Sequence, residues 1–113
     1  MSIQKPSKYK IRLSFDAKED IKNTKKYILD TFKYRETAET FSKNIKAAIG
    51  KLQPFPEAYQ GTGMQIEGLE VLYKPYSTYL IFFVVDGDSI FIVRVLKDRM
   101  YWQSIIKRIT RLI

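Results

Sequence analysis

Apolar and polar residues alternate from Lys8 to Phe15. Tyr9, Ile11, Leu13 and Phe15 point one way; Lys8, Lys10, Arg12 and Ser14 point the other. A period of two predicts a half-buried strand. The period then changes. Asp16 can cap the first helical N–H groups, and Glu19 sits at the reciprocal capping-box position. Ala17, Ile21, Thr24, Ile28 and Phe32 recur at helical spacing, while Lys18, Lys22, Lys25 and Lys26 fall largely on the other side. This predicts a long amphipathic helix ending near Lys33. A second helix is predicted from about Arg35 to Leu52, with Ala38, Phe41, Ile45, Ala48, Ile49 and Leu52 as its apolar stripe. Pro54 and Pro56 stop it. The link between the helices is so short that they should form an antiparallel hairpin.

Phe55 to Gly68 contains Gly61, Gly63 and Gly68 without a clear period and reads as a loop. Three strands are predicted next, over Leu69–Lys74, Tyr79–Val85 and Ser89–Lys97. Asp86-Gly87-Asp88 between the last two is a tight-turn signal. Met100 to Leu112 reads as a short basic helix. Its apolar stripe is Tyr101, Ile105, Ile109 and Leu112, and Lys107, Arg108 and Arg111 face away. The order β-α-α-β-β-β-α, unbroken by repeats or linkers, predicts a single α+β domain over residues 1–113: an antiparallel sheet packed on an N-terminal helix hairpin, with a short C-terminal helix.

The last two strands are apolar on both faces. Tyr79, Ile81, Phe83 and Val85 oppose Leu80, Phe82 and Val84; Ile90, Ile92 and Leu96 oppose Phe91, Val93 and Val95. Such strands are covered on both sides, and the hairpin covers one. The C-terminal helix and the loop either complete the cover or leave an apolar patch for a partner. Arg94, on the Ile90/Ile92/Leu96 face, needs a counter-charge or a wet cleft. It is either an ion pair, with Asp98 or Glu70, or a phosphate-binding arginine at the edge of a groove.

Charge narrows the partners. The net charge is +8, with 20 Lys+Arg against 12 Asp+Glu. This points to nucleic acid, a ribosome or an acidic protein. The chain has no cysteine, which excludes disulfides and thiolate metal sites, and no histidine. Acid–base chemistry would therefore fall to Lys, Arg, Tyr or carboxylates, with no metal or cofactor called for. Met1 to Lys10 is polar, without the apolar run of a secretory signal, and Tyr79–Val85 is too short to span a bilayer. A cytoplasmic protein without a membrane partner is expected.

Three motifs carry a family resemblance. Tyr9-Lys10-Ile11-Arg12-Leu13-Ser14 is followed by Ala17, Asp20-Ile21 and Tyr27-Ile28. Tyr79-Leu80-Ile81-Phe82-Phe83 comes later, and Ile92-Val93-Arg94-Val95-Leu96-Lys97-Asp98-Arg99-Met100-Tyr101-Trp102 closes the set. In this order they resemble the RelE/ParE superfamily, toxins of type II toxin–antitoxin systems, over nearly the whole chain. The chain departs from that pattern in places. Many relatives carry arginine just before the Tyr79 strand, where Val71-Leu72-Tyr73-Lys74-Pro75 offers only Lys74. Lys97 stands where many have His, and Tyr101 where Asp is usual.

The resemblance implies inhibition of translation by ribosome-dependent, metal-independent mRNA cleavage. Its alternatives are a ParE-like poison of DNA gyrase, which binds and does not cut, or an inactive toxin fold that binds only its antitoxin and operator DNA. Cleavage needs a base for the 2′-OH, a cation for the phosphorane and an acid for the leaving oxygen. Lys97, Arg99 and Tyr101 are the catalytic candidates, because like charge from Arg94 and Arg99 disfavours a protonated Lys97. Lys74, Arg94, Trp102, Lys107 and Arg108 are the candidates for nucleic-acid binding; Trp102 either stacks on a base or packs on the sheet. The implied partners are an acidic antitoxin that folds on binding, operator DNA through that complex, and the ribosome with its mRNA or DNA gyrase.

Overall fold

The computed structural model describes residues 8–112; Met1 to Ser7, the start of the polar N-terminal stretch, lie outside the described residues. The elements are β1 (Lys10–Leu13), α1 (Phe15–Phe32), α2 (Arg35–Gly50), a 3₁₀ turn (Pro56–Ala58), β2 (Gln60–Ile66), β3 (Leu69–Tyr76), β4 (Tyr79–Asp86), β5 (Ser89–Lys97) and α3 (Trp102–Lys107). The strands form one sheet in the order β1-β5-β4-β3-β2. β1 runs parallel to β5, and the other pairings are antiparallel. The fold class is the α+β arrangement expected from the chain's periodicities, with one strand more.

The extra strand is β2, inside the stretch read as a loop. It pairs with β3 through a hairpin closed by Glu67 and Gly68, both at positive φ (52° and 79°), between the partners Ile66 and Leu69. This is the geometry of the favoured two-residue hairpin turn. The strand is hard to see in the sequence because its register shifts between Gly61 and Gln65, so its apolar residues keep no strict period. At Gly61 a Cβ would displace the carboxylate end of the Glu70 side chain.

The junction of β1 and α1 also differs from expectation. The N-cap is Ser14, not Asp16. The Ser14 hydroxyl accepts from the Ala17 N–H at 3.0 Å and donates to the Val93 carbonyl at 2.9 Å. Phe15, read as the last inward residue of the strand, is instead the first residue of the helix and is 75% exposed. Ala17, Ile21 and Ile28 are buried as their spacing predicts, but Phe32 lies past the sheet and is exposed.

Two cores result. On one side of the sheet, α1 and α2 bury Ile81, Phe83, Ile90 and Ile92 together with Ile21, Ile45, Ile49 and Leu52. On the other, α3 and the segment to Leu112 cover Leu80, Phe82, Val84 and Val93 through Ile106 and Leu112. The central strands are thus buried on both faces. Exposed large apolar side chains occur elsewhere, at Phe15, Phe32, Tyr34, Phe55, Met100 and Tyr101 among others. The helix in the C-terminal segment is shorter than its stripe suggested, because the chain leaves helical geometry after Lys107.

A bulge in β5 rearranges its second half. Phe83 pairs with Ile92 and Phe82 with Arg94, so Val93 is an extra residue. An extra residue reverses the facing of everything beyond it. Val95, not Leu96, therefore joins Ile90 and Ile92 in the hairpin-side core, and Leu96 joins the opposite one. Arg94 shares the side of Phe82 and Leu96, correcting the face read from strict alternation.

Candidate functional site

The bulge sits where β5 loses its neighbour. β1 pairs with Ser89–Ile92 only, so beyond Ile92 the β5 edge would stand open. α1 closes it with its own groups. The Ser14 N–H donates to the Ile92 carbonyl at 2.9 Å, and Asp20 accepts the Val95 N–H at 2.9 Å. The same carboxylate takes a two-pronged bond from Arg94, Nε to Oδ2 at 2.7 Å and Nη2 to Oδ1 at 2.8 Å. These bonds hold the Arg94 proton more firmly than usual, against the opposing effect of burial; the charges of Asp20 and Asp16 add to the hold. Arg94 does have a counter-charge, as its position demanded, but the partner is Asp20 and not Asp98 or Glu70. The Asp of the first family-like motif and the Arg of the last are the two halves of one ion pair.

Lys97 and its expected companions lie on different elements. Lys97 is the cross-strand partner of Tyr79, and its Nζ lies 5.3 Å from the centre of the Tyr27 ring, a cation–π placement. The groove beside it is lined by Asp20, Thr24, Tyr27, Arg94 and Met100, but by neither Arg99 nor Tyr101. Residues 98–101 turn the chain from β5 toward α3, fixed by Asp98 N–H to Thr78 carbonyl at 2.8 Å and Met100 N–H to Lys97 carbonyl at 3.1 Å. Arg99 and Tyr101 ride on this turn and face solvent, Tyr101 at 88% exposure. Trp102 then packs on the far face of the sheet, 5.1 Å from Phe82 and 6.2 Å from Tyr73 between ring centroids. It anchors α3, the packing alternative of its two expected roles.

Lys74 sits on the hairpin side. Its Nζ donates to the Tyr59 hydroxyl at 3.3 Å, and that hydroxyl donates to the Lys51 carbonyl, also at 3.3 Å. Lys107 and Arg108 are exposed at the end of α3. Tyr79, against Phe41 at 5.1 Å, has its hydroxyl pushed above the ordinary value of 10.0, chiefly by burial and secondarily by Tyr27.

Two neighbouring clefts open between the start of α1 and the C-terminal segment. One, of about 330 Å³, has apolar walls of Leu13, Phe91, Val93, Ile109 and Leu112, with Arg12, Arg111 and Asp16 also lining it. The other, of about 600 Å³, is lined by Asp16, Arg94, Ile105, Arg108 and Arg111 among others. Arg12, Arg108 and Arg111 form no ion pair among the described residues. An apolar floor with arginines around it suits an acidic peptide that inserts an apolar side chain. Arg111 was visible in the sequence as part of the basic C-terminal segment, but its neighbourhood with Arg12 was not, because the two residues are 99 positions apart and line one cleft only in the fold. Among the described residues no cluster of His, Cys, Asp or Glu is arranged to hold a metal, and no helix is long and apolar enough to cross a membrane.

Comparison with known proteins agrees with this architecture. The model of the ParE toxin of the type II toxin–antitoxin system parDE matches residues 11–102. Among solved structures, a chain of the chromosomal ParDE toxin–antitoxin system from P. aeruginosa superposes with a TM-score of 0.65 at 17% identity, over 81% of this chain and 98% of that one. No curated protein sequence matches. The fold and the motifs define a type II toxin of the RelE/ParE superfamily. Within it, the chain belongs to the ParE toxin family.

Proposed function

We propose that this toxin acts by binding DNA gyrase and not by cutting mRNA. The observation that carries the proposal is that the two cations of the expected cluster on β5 are engaged within the fold, Lys97 with Tyr27 and Arg94 with Asp20. Lys97 lies against Tyr27, while the other two project from a turn outside its groove. General acid–base cleavage needs its groups within hydrogen-bond reach of one phosphate. Arg94, the other cation of the expected cluster, is neutralised by Asp20. Ribosome-dependent cleavage, the other reading of the sequence, asks Lys97 and Arg94 to leave these partners for the phosphate. A binding poison asks only for a rigid surface.

In this reading Lys107 and Arg108 contribute charge to a contact surface, and Lys74 adds a cation on the opposite side. The antitoxin is an acidic segment that folds on binding and seats its apolar side chains in the cleft beside Arg12, Arg108 and Arg111. Operator DNA is engaged through that complex, and the protein works in the cytoplasm. Induction of the toxin alone, with 5′ ends of ribosome-bound mRNA mapped beside a DNA-damage reporter, tests the proposal. The expected result is intact mRNA with the damage response on; codon-phased cuts without damage would overturn it.

A further inference from the structure

A second basic surface lies away from these clefts, on the solvent face of α1. At 3.6 residues per turn, Lys18, Lys22, Lys25 and Lys26 fall within a sector of roughly 100°, about a quarter-turn round the helix from the buried Ala17, Ile21 and Ile28, and Lys33 follows as the C-cap. Phe15, Leu29 and Phe32 lie in or at the edge of the same sector and are exposed. The acids of the helix, Asp16, Glu19, Asp20 and Asp30, lie outside it. None of the five lysines forms an ion pair among the described residues. The result is a cationic ridge about 12 Å long from Lys18 to Lys26 along the helix.

We propose that this ridge is a binding site for duplex DNA, engaged through the phosphate backbone without sequence preference. A convex cationic rod complements the concave, regularly charged groove of a duplex. Lysines are point charges without the fork used to read base edges, so the contact positions the protein without specifying sequence. A folded-on-binding peptide would need an apolar cleft, and the clefts described above lie beside the ridge, not on it. A membrane surface would need a continuous apolar face; that of α1 is buried on the sheet, and Phe15 stands about 20 Å from Leu29 along the axis. The site does not depend on which target the toxin poisons.

The test is fluorescence anisotropy of a labelled random-sequence duplex of about 20 base pairs with the full chain, over a salt series. Four phosphate contacts predict a slope of log K against log[salt] near −3.6. Lys22→Gln/Lys25→Gln, exposed changes to a good helix former, should make the slope less steep by about 1.8 at unchanged circular dichroism. Lys107→Gln/Arg108→Gln/Arg111→Gln should leave it unchanged. The proposal is overturned if the duplex is not bound at low salt or if the slope follows the C-terminal variant. Tighter binding to single-stranded RNA of the same length, or to phosphatidylserine vesicles, overturns it equally.

Discussion

Replacing Asp20 with alanine removes three bonds at once: both prongs to Arg94 and the acceptor for Val95 N–H. Arg94 is left partly buried without a counter-charge, and a backbone donor on the closed edge of β5 is orphaned. Breaking a fully buried ion pair costs about 3–5 kcal/mol. Here the side chains keep 22% and 13% exposure, so solvent screening places the loss at about 3 kcal/mol. With an unfolding entropy of about 2.1 cal/mol/K per residue over 113 residues, that loss lowers Tm by about 12 °C. Arg94→Met should cost less, because Asp20 continues to accept from Val95. The double variant should cost less than the sum of the singles by about 1.5–3 kcal/mol, the coupling of contacting residues. Urea unfolding of the four proteins measures all of these terms. An Asp20→Ala loss below about 0.5 kcal/mol, the scale of an ordinary surface change, or strictly additive losses, would refute the edge-closing role assigned to Asp20.

Other outcomes follow from the same structure. Ser14→Ala should destabilise by about 1–2 kcal/mol in urea, and Asp16→Ala by clearly less, because Ser14 is the cap. Trp102→Ala should cost about 3 kcal/mol and detach α3, read as lost near-ultraviolet circular dichroism and faster proteolysis near Lys107. Tyr79 should ionise above the ordinary value of 10.0 in an alkaline absorbance titration. Below pH 10 its contribution to stability is fully present; as pH rises through the raised folded value, the unfolded chain has already ionised and the contribution is lost, so Tyr79→Phe should flatten that fall. Tyr101→Phe, which deletes one hydroxyl from a solvent-facing side chain, should leave toxicity unchanged; loss of toxicity would mean that this hydroxyl transfers a proton.

Much of the fold could be read from periodicity alone. The buried stripe Ala38, Phe41, Ile45, Ala48 and Ile49 of α2 coincides with expectation because that helix keeps one uninterrupted period, and the bounds of β5, Ser89–Lys97, coincide because a tight turn marks its start. The failures have specific causes. β2 has a register shift beside Gly61, which erases alternation. The Val93 bulge exchanges the facing of Val95 and Leu96, and a bulge without glycine leaves no mark in the sequence. Ser14 and Asp16 are both good caps, and the choice between them was made by a carbonyl 79 residues away, that of Val93. The site was less legible than the fold. Asp20 and Arg94 are 74 residues apart, so each appears in its motif as a separate charge, and only the packing of α1 on β5 joins them. The expected Lys97/Arg99/Tyr101 set spans the end of β5, the 98–101 turn and the N-cap of α3, a placement the motif alone does not show.

Action of this ParE-family member on gyrase is measured most directly by a supercoiling assay with purified gyrase, relaxed plasmid and the purified toxin. Toxin should block supercoiling, or trap cleaved plasmid, in proportion to its concentration, and the acidic antitoxin should reverse the effect. Normal supercoiling at saturating toxin, together with cleavage of mRNA on purified ribosomes by the same preparation, would contradict gyrase as the target.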